Sequence, residues 1–97
     1  MNLLIHIYYT GKNGSARSFA DEMTASGTVE RIRAEAGNLR YEYFFSADDP
    51  ETVLLIDEWK DQTALDIHHQ SEMMRKIAAL REQYKLKMRV ERFVSER

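Results

Sequence analysis

Apolar and polar positions change period repeatedly along this chain, and each change marks an element boundary. Residues 3–9, Leu-Leu-Ile-His-Ile-Tyr-Tyr, are rich in β-branched and aromatic types and predict a first strand. Gly11-Lys12-Asn13-Gly14 ends it. Ser15 is the expected N-cap of a helix whose apolar stripe, Ala16, Phe19, Ala20 and Met23, recurs at helical spacing. Gly27 interrupts that helix. Thr28 is the expected cap of a second, short one carrying Val29, Ile32 and Arg33, with Gly37 as its C-cap. From residue 38 the period becomes two. Leu39, Tyr41, Tyr43 and Phe45 alternate with Asn38, Arg40, Glu42 and Phe44, predicting a strand over 38–46. Asp48-Asp49-Pro50 is a turn, and a third strand runs from Thr52 to Trp59. Asp61 caps a helix through Ala64, Leu65 and His68, and Ser71 caps another through Met74, Ile77, Ala78 and Arg81. Residues 86–94 alternate as Leu86, Met88 and Val90 against Lys87, Arg89 and Glu91, a fourth strand. The order β-α-β-β-α-β predicts an α+β fold, a four-stranded antiparallel sheet with helices on one face.

The third strand carries a second message. Val53-Leu54-Leu55-Ile56 is a continuous apolar run, whereas a half-exposed antiparallel strand alternates. Both faces of this strand therefore need cover, and the helices supply only one. Phe44 on the neighbouring strand falls on the same uncovered register. The expected cover is a second copy of the sheet, giving a homodimer.

Composition narrows the chemistry. Ninety-seven residues are one domain's length, so residues 1–97 are read as a single domain. Fourteen Lys and Arg against 16 Asp and Glu leave a net charge of −2, without the basic excess of a nucleic-acid binder. There is no cysteine, which removes disulfides, cysteine-ligated zinc, iron–sulfur clusters and thiol catalysis together. The same absence points to a reducing, cytoplasmic setting. No apolar run approaches the ~18 residues of a membrane span. The first nine residues have no basic segment and are interrupted by His6, so they do not read as a signal peptide.

Few residues are left to carry a reaction. Asp57 and Trp59 are two apart, on the same strand face as Val53 and Leu55, which is the face assigned to the helices. Adjacent helical residues lie about 100° apart, so only one of His68 and His69 can face the sheet. The spacing from Leu65 selects His68. The plain alternatives are a core histidine, a core tryptophan and a carboxylate serving the backbone. His68 and Glu72 stand at i, i+4, but two ligands do not make a metal site, and none is expected. Lys12 is followed by Asn13 rather than Ser or Thr, so Gly11–Ser15 is not a phosphate-binding loop. Met73, Met74, Tyr41, Tyr43 and Phe45 would give a soft, polarisable lining to a cavity between sheet and helices.

Four blocks in order complete the sequence reading. Gly37-Asn38-Leu39-Arg40-Tyr41-Glu42, Asp48-Asp49-Pro50, Leu55-Ile56-Asp57-Glu58-Trp59 and Ala64-Leu65-Asp66-Ile67-His68 resemble the antibiotic biosynthesis monooxygenase family, in its small quinol-monooxygenase-like branch. The resemblance spans roughly residues 2–94 and implies a ferredoxin-like fold that dimerises into an α+β barrel. It implies oxidation of a quinol or phenolic aromatic substrate by dioxygen, with no metal or flavin and no other cofactor. In that reading His68 is the base and Asp57 fixes its tautomer or stabilises the imidazolium. Trp59 stacks on the substrate, and Tyr41, Tyr43, Leu55 and Met73 line the site. Asn38 and Tyr41 are expected on opposite faces of their strand, with Tyr41 facing the pocket. The family's common pattern has glutamate where Asp57 stands. Related activities of the same fold are a heme-degrading oxygenase and a phospho-sugar isomerase or degrading enzyme of the autoinducer-2 type. A dimeric, non-catalytic small-ligand binder is the alternative outside enzymology.

Overall fold

The computed structural model describes residues 1–96. Four strands, β1 (Asn2–Thr10), β2 (Asn38–Phe45), β3 (Thr52–Trp59) and β4 (Lys87–Ser95), are joined by two helix pairs, α1 (Ser15–Ala25) with α2 (Thr28–Arg33) between β1 and β2, and α3 (Gln62–His69) with α4 (Glu72–Gln83) between β3 and β4. The strands pair antiparallel in the order β2-β3-β1-β4, the ferredoxin-like topology.

The caps of the first two helices differ from expectation. Ser15 and Thr28 are the first helical residues, and Gly14 and Gly27 occupy the cap positions in the left-handed region, each with φ 79°. The Ser15 hydroxyl instead accepts the Lys12 amide at 3.1 Å, tightening the loop before the helix. Asp61 does cap α3, its carboxylate accepting the Ala64 amide at 2.9 Å. Gly37 precedes β2 with φ 87°, and a Cβ there would meet the Ala64 methyl at 2.5 Å. Only glycine lets the start of α3 approach the sheet this closely.

Register sorts the sheet into two faces. Tyr41, Asp57, Ile5 and Arg92 form one rung, and Tyr43, Leu55, Ile7 and Val90 the next. These side chains point towards the helices, where Phe19, Met23, Ile32, Leu65 and Ile77 complete the core. A bulge between Asn38 and Arg40 changes the parity of β2. Leu39 is the extra residue and is 51% exposed, while Asn38 comes opposite Trp59. The expectation that Asn38 and Tyr41 lie on opposite faces is therefore corrected. Asn38 nevertheless stays out of the cavity, because its amide donates to the backbone carbonyls of Arg40 and Glu58 at 3.3 and 3.4 Å.

The outward face carries Leu4, Tyr8, Phe44, Leu54, Ile56 and Phe93, each only partly covered or exposed. Cover is also incomplete on the helix side. Met88, Val90 and Val94 of β4 are 45–57% exposed, so this edge of the helix-side face stays open.

Candidate active site

The gap beside β4 is the mouth of a cavity of about 270 Å³ between sheet and helices. Ile5, Ile7 and Tyr9 of β1, Tyr41 of β2, and Leu55 and Asp57 of β3 form its floor and inner wall. Leu65, His68 and His69 of α3 and Met74, Ile77 and Arg81 of α4 form its roof. Met88, Val90 and Arg92 form the open side. The lining is mostly apolar with a few convergent polar groups, as ligand pockets usually are.

His68 is held on two sides. Its side chain is 3% exposed, and its ring stacks on Trp59 with centroids 4.7 Å apart and planes inclined by 27°. Nδ1 lies 2.7 Å from Glu35 Oε2. Glu35 is the residue that fixes this imidazole, the role the sequence reading gave to Asp57. A ring with Nδ1 engaged by a carboxylate presents Nε2 as its working nitrogen. Burial lowers the His68 pKa, and Glu35 works against that through its charge and its hydrogen bond. His69 is exposed, and its ring lies 5.9 Å from that of His68.

Asp57 lies on the inner wall, 4% exposed, with Oδ1 buried and unpartnered. Burial pushes its carboxyl up to about 7, while the Trp59 indole N–H pulls the other way and Glu35 adds to the rise. The indole N–H acts on the carboxyl as a dipole, but Trp59 Nε1 makes no aligned hydrogen bond and is itself unpartnered. The site thus holds a base fixed by one carboxylate and a second carboxyl poised near neutrality.

The other expected residues divide. Leu55 and Tyr41 line the cavity at 1% and 2% exposure. Trp59 stands behind His68 rather than on the cavity wall, so it stacks on the imidazole instead of facing the open space. Tyr43 turns to a different hollow, beside Ala20, Val29 and Phe45. Met73 packs against the core, and its neighbour Met74 lines the cavity. Burial raises the pKa values of Tyr9, Tyr41 and Tyr43, keeping these phenols protonated. Glu35, Arg81 and Arg92 were not expected here. Glu35 lies in the connection between α2 and β2, where no periodicity marks it. Arg92 was legible, because the β4 alternation carried on by two residues puts it on the Met88 and Val90 side. Among the described residues, no three His, Asp or Glu side chains are grouped to hold a metal ion.

The model of the family described as antibiotic biosynthesis monooxygenase matches residues 2–80. The chain belongs to that family. It is 28% identical over 69 residues to the Bacillus subtilis protein named "Putative monooxygenase YcnE", spanning 71% of this chain and 70% of that one. Among solved structures it is similar to PA3566 of Pseudomonas aeruginosa, with 25% identity, a TM-score of 0.83, and coverage of 99% and 95% of the two chains. A point mutant of SnoaB from Streptomyces nogalater, described as a cofactor-independent oxygenase, superposes with a TM-score of 0.80 at 12% identity. That superposition covers 99% of this chain and 94% of SnoaB, and it speaks for the fold. The family match includes β1 to β3, α3 and most of α4, so it covers His68, Glu35, Asp57 and Trp59.

Proposed function

We propose that this family member is a cofactor-independent monooxygenase that oxidises a quinol or phenolic substrate with dioxygen, working as a homodimer. The observation that carries the reading is His68, buried on Trp59, held at Nδ1 by Glu35 at 2.7 Å, and set in the wall of an apolar cavity.

The chemistry needs little from the protein beyond this. Nε2 of His68 takes the proton of the aromatic hydroxyl, leaving an electron-rich phenolate in a poorly hydrated site. The phenolate gives one electron to dioxygen, forming a substrate radical and superoxide. The two combine in a C–O bond at a ring or benzylic carbon that bears hydrogen. Protonation of the distal oxygen gives a hydroperoxide. Loss of water with the carbon-bound hydrogen leaves a carbonyl. One oxygen atom ends in the product and the other in water, and the substrate supplies all the electrons. Asp57 is suited to the late protonation, because a carboxyl with a pKa of about 7 is partly protonated at neutral pH.

The dimer reading rests on the outward face, where Phe44, Leu54 and Tyr8 share one rung, Leu4 and Phe93 share another, and Ile56 lies between them beside His6. Contiguous apolar surface of this kind marks an interface. The functional test is oxygen uptake with wild-type protein and His68→Ala. Uptake that requires His68 supports the mechanism, and equal uptake in the variant removes His68 from it.

A further inference from the structure

Two arginines at the cavity are not used by the chemistry above. Arg92 lies on β4 opposite Ile5, so it shares the helix-side face with Met88, Val90 and Val94. Arg92 is exposed at the rim of the cavity, where its register still places it on the helix-side face. Arg81 enters from α4 at the other end of the same open side, its Nη1 lying 3.6 Å from Met88 Sδ. Arg33, Arg40 and Arg89 each find a glutamate. Arg81 and Arg92, like Arg17, Arg31 and Arg75, make no ion pair among the described residues, but only these two line the cavity. Arg92 donates to the side-chain carbonyl of Gln62 at the start of α3, and Arg81 to a thioether. Both acceptors are neutral, and hydrogen bonds to a carboxylate are roughly twice as strong.

The cavity is therefore electrically polar. His68 of α3 and Asp57 of β3 occupy one wall, with Glu35 reaching His68 from the connection between α2 and β2, and the arginines occupy the side along β4. Asp57 and Arg92 share a rung two strands apart, about 10 Å at the usual spacing of about 4.8 Å between strands. Arg81 sits beside Met88, whose rung with Tyr9 lies four residues further along the strands, about 13 Å. An anionic group would be repelled from the carboxylate wall and drawn to the mouth, leaving the opposite end of an aromatic ligand at His68.

We propose that the open side of the cavity, with Arg92 at one end and Arg81 at the other, attracts an anion that Arg92 binds, and that the substrate is an aromatic hydroxyl compound bearing a carboxylate or similar anionic group distal to the reacting hydroxyl. This deepens the proposed function and rests on the cavity being the substrate site. On binding, the anion replaces the Gln62 carbonyl as the acceptor of Arg92, releasing the bridge between β4 and α3.

The test is calorimetric binding of two probes, a hydroxynaphthoate with hydroxyl and carboxylate on opposite rings and the corresponding plain naphthol. Wild-type protein should bind the hydroxynaphthoate at least about tenfold more tightly. The double variant Arg81→Gln, Arg92→Gln should lose that preference and keep its affinity for the naphthol. Arg75→Gln, on the exposed side of α4, should behave as wild type. Equal affinity of the two probes for wild type overturns the proposal. So do a preference that survives in the double variant, equal weakening of both probes, and failure of both to bind. Because binding is read rather than turnover, the preference with no oxygen uptake would remove the monooxygenase reading and uphold anion binding at the open side.

Discussion

Replacing Asp57 by asparagine gives a test whose size follows from the structure. In the unfolded chain the carboxyl ionises near 3.8, and in the fold burial pushes it up to about 7. Between these values the folded state binds more protons than the unfolded state, so stability falls as pH rises through that window. About three pKa units at about 1.4 kcal/mol each put the loss on the order of 4 kcal/mol. The asparagine side chain has the shape of the protonated acid and no charge to desolvate. Urea unfolding of wild type and Asp57→Asn, from about pH 4 to about pH 8 at one fixed protein concentration, measures the difference. The curves should meet near pH 4, and the variant should gain over wild type through pH 7, ending more stable by a few kcal/mol. A gap that does not change with pH would refute the reasoning, because Asp57 would then ionise alike in both states.

Two further substitutions test separate parts of the account. Glu35→Gln removes the charge that raises the His68 pKa, so the acid limb of the pH–rate profile should move to lower pH. The plateau should fall by roughly tenfold or more as a weaker, less firmly held base does the work, and a limb that stays in place would show that Glu35 does not act on His68. Ile56→Glu places a charge on the outward face and should convert a species of twice the 11.4 kDa chain mass to a monomer in size exclusion with light scattering. A monomeric wild type, or a variant that remains dimeric, would remove that face as the interface.

The fold was legible because its signals are local. The strand periods, the Asp61 cap and the apolar run Val53–Ile56 all follow from residues near one another in the chain. The site was less legible because it depends on register and on loops. The bulge at Asn38 and Arg40 breaks simple alternation and shifts Asn38 and Leu39, while Tyr41 faces the cavity as expected. Glu35 reaches His68 across 33 positions, a pairing made only by the tertiary fold. Met73 and Met74 are neighbours on one turn, and only helix orientation decides that Met74 meets the cavity. Asp57 was legible as a pocket residue from its place on β3, but the partner of His68 Nδ1 is Glu35, which comes from a distant connection.

In the proposed mechanism His68 activates an aromatic hydroxyl for direct reaction with dioxygen. An oxygen-electrode screen of hydroquinones, naphthols and anthrones, with wild-type protein and a folded His68→Ala variant, tests it most directly. Wild-type protein should take up oxygen with chelator present, and uptake should fall by about a hundredfold or more in the variant. Absence of uptake across the panel, loss of uptake with chelator, or uptake as fast in the variant as in wild type would contradict it.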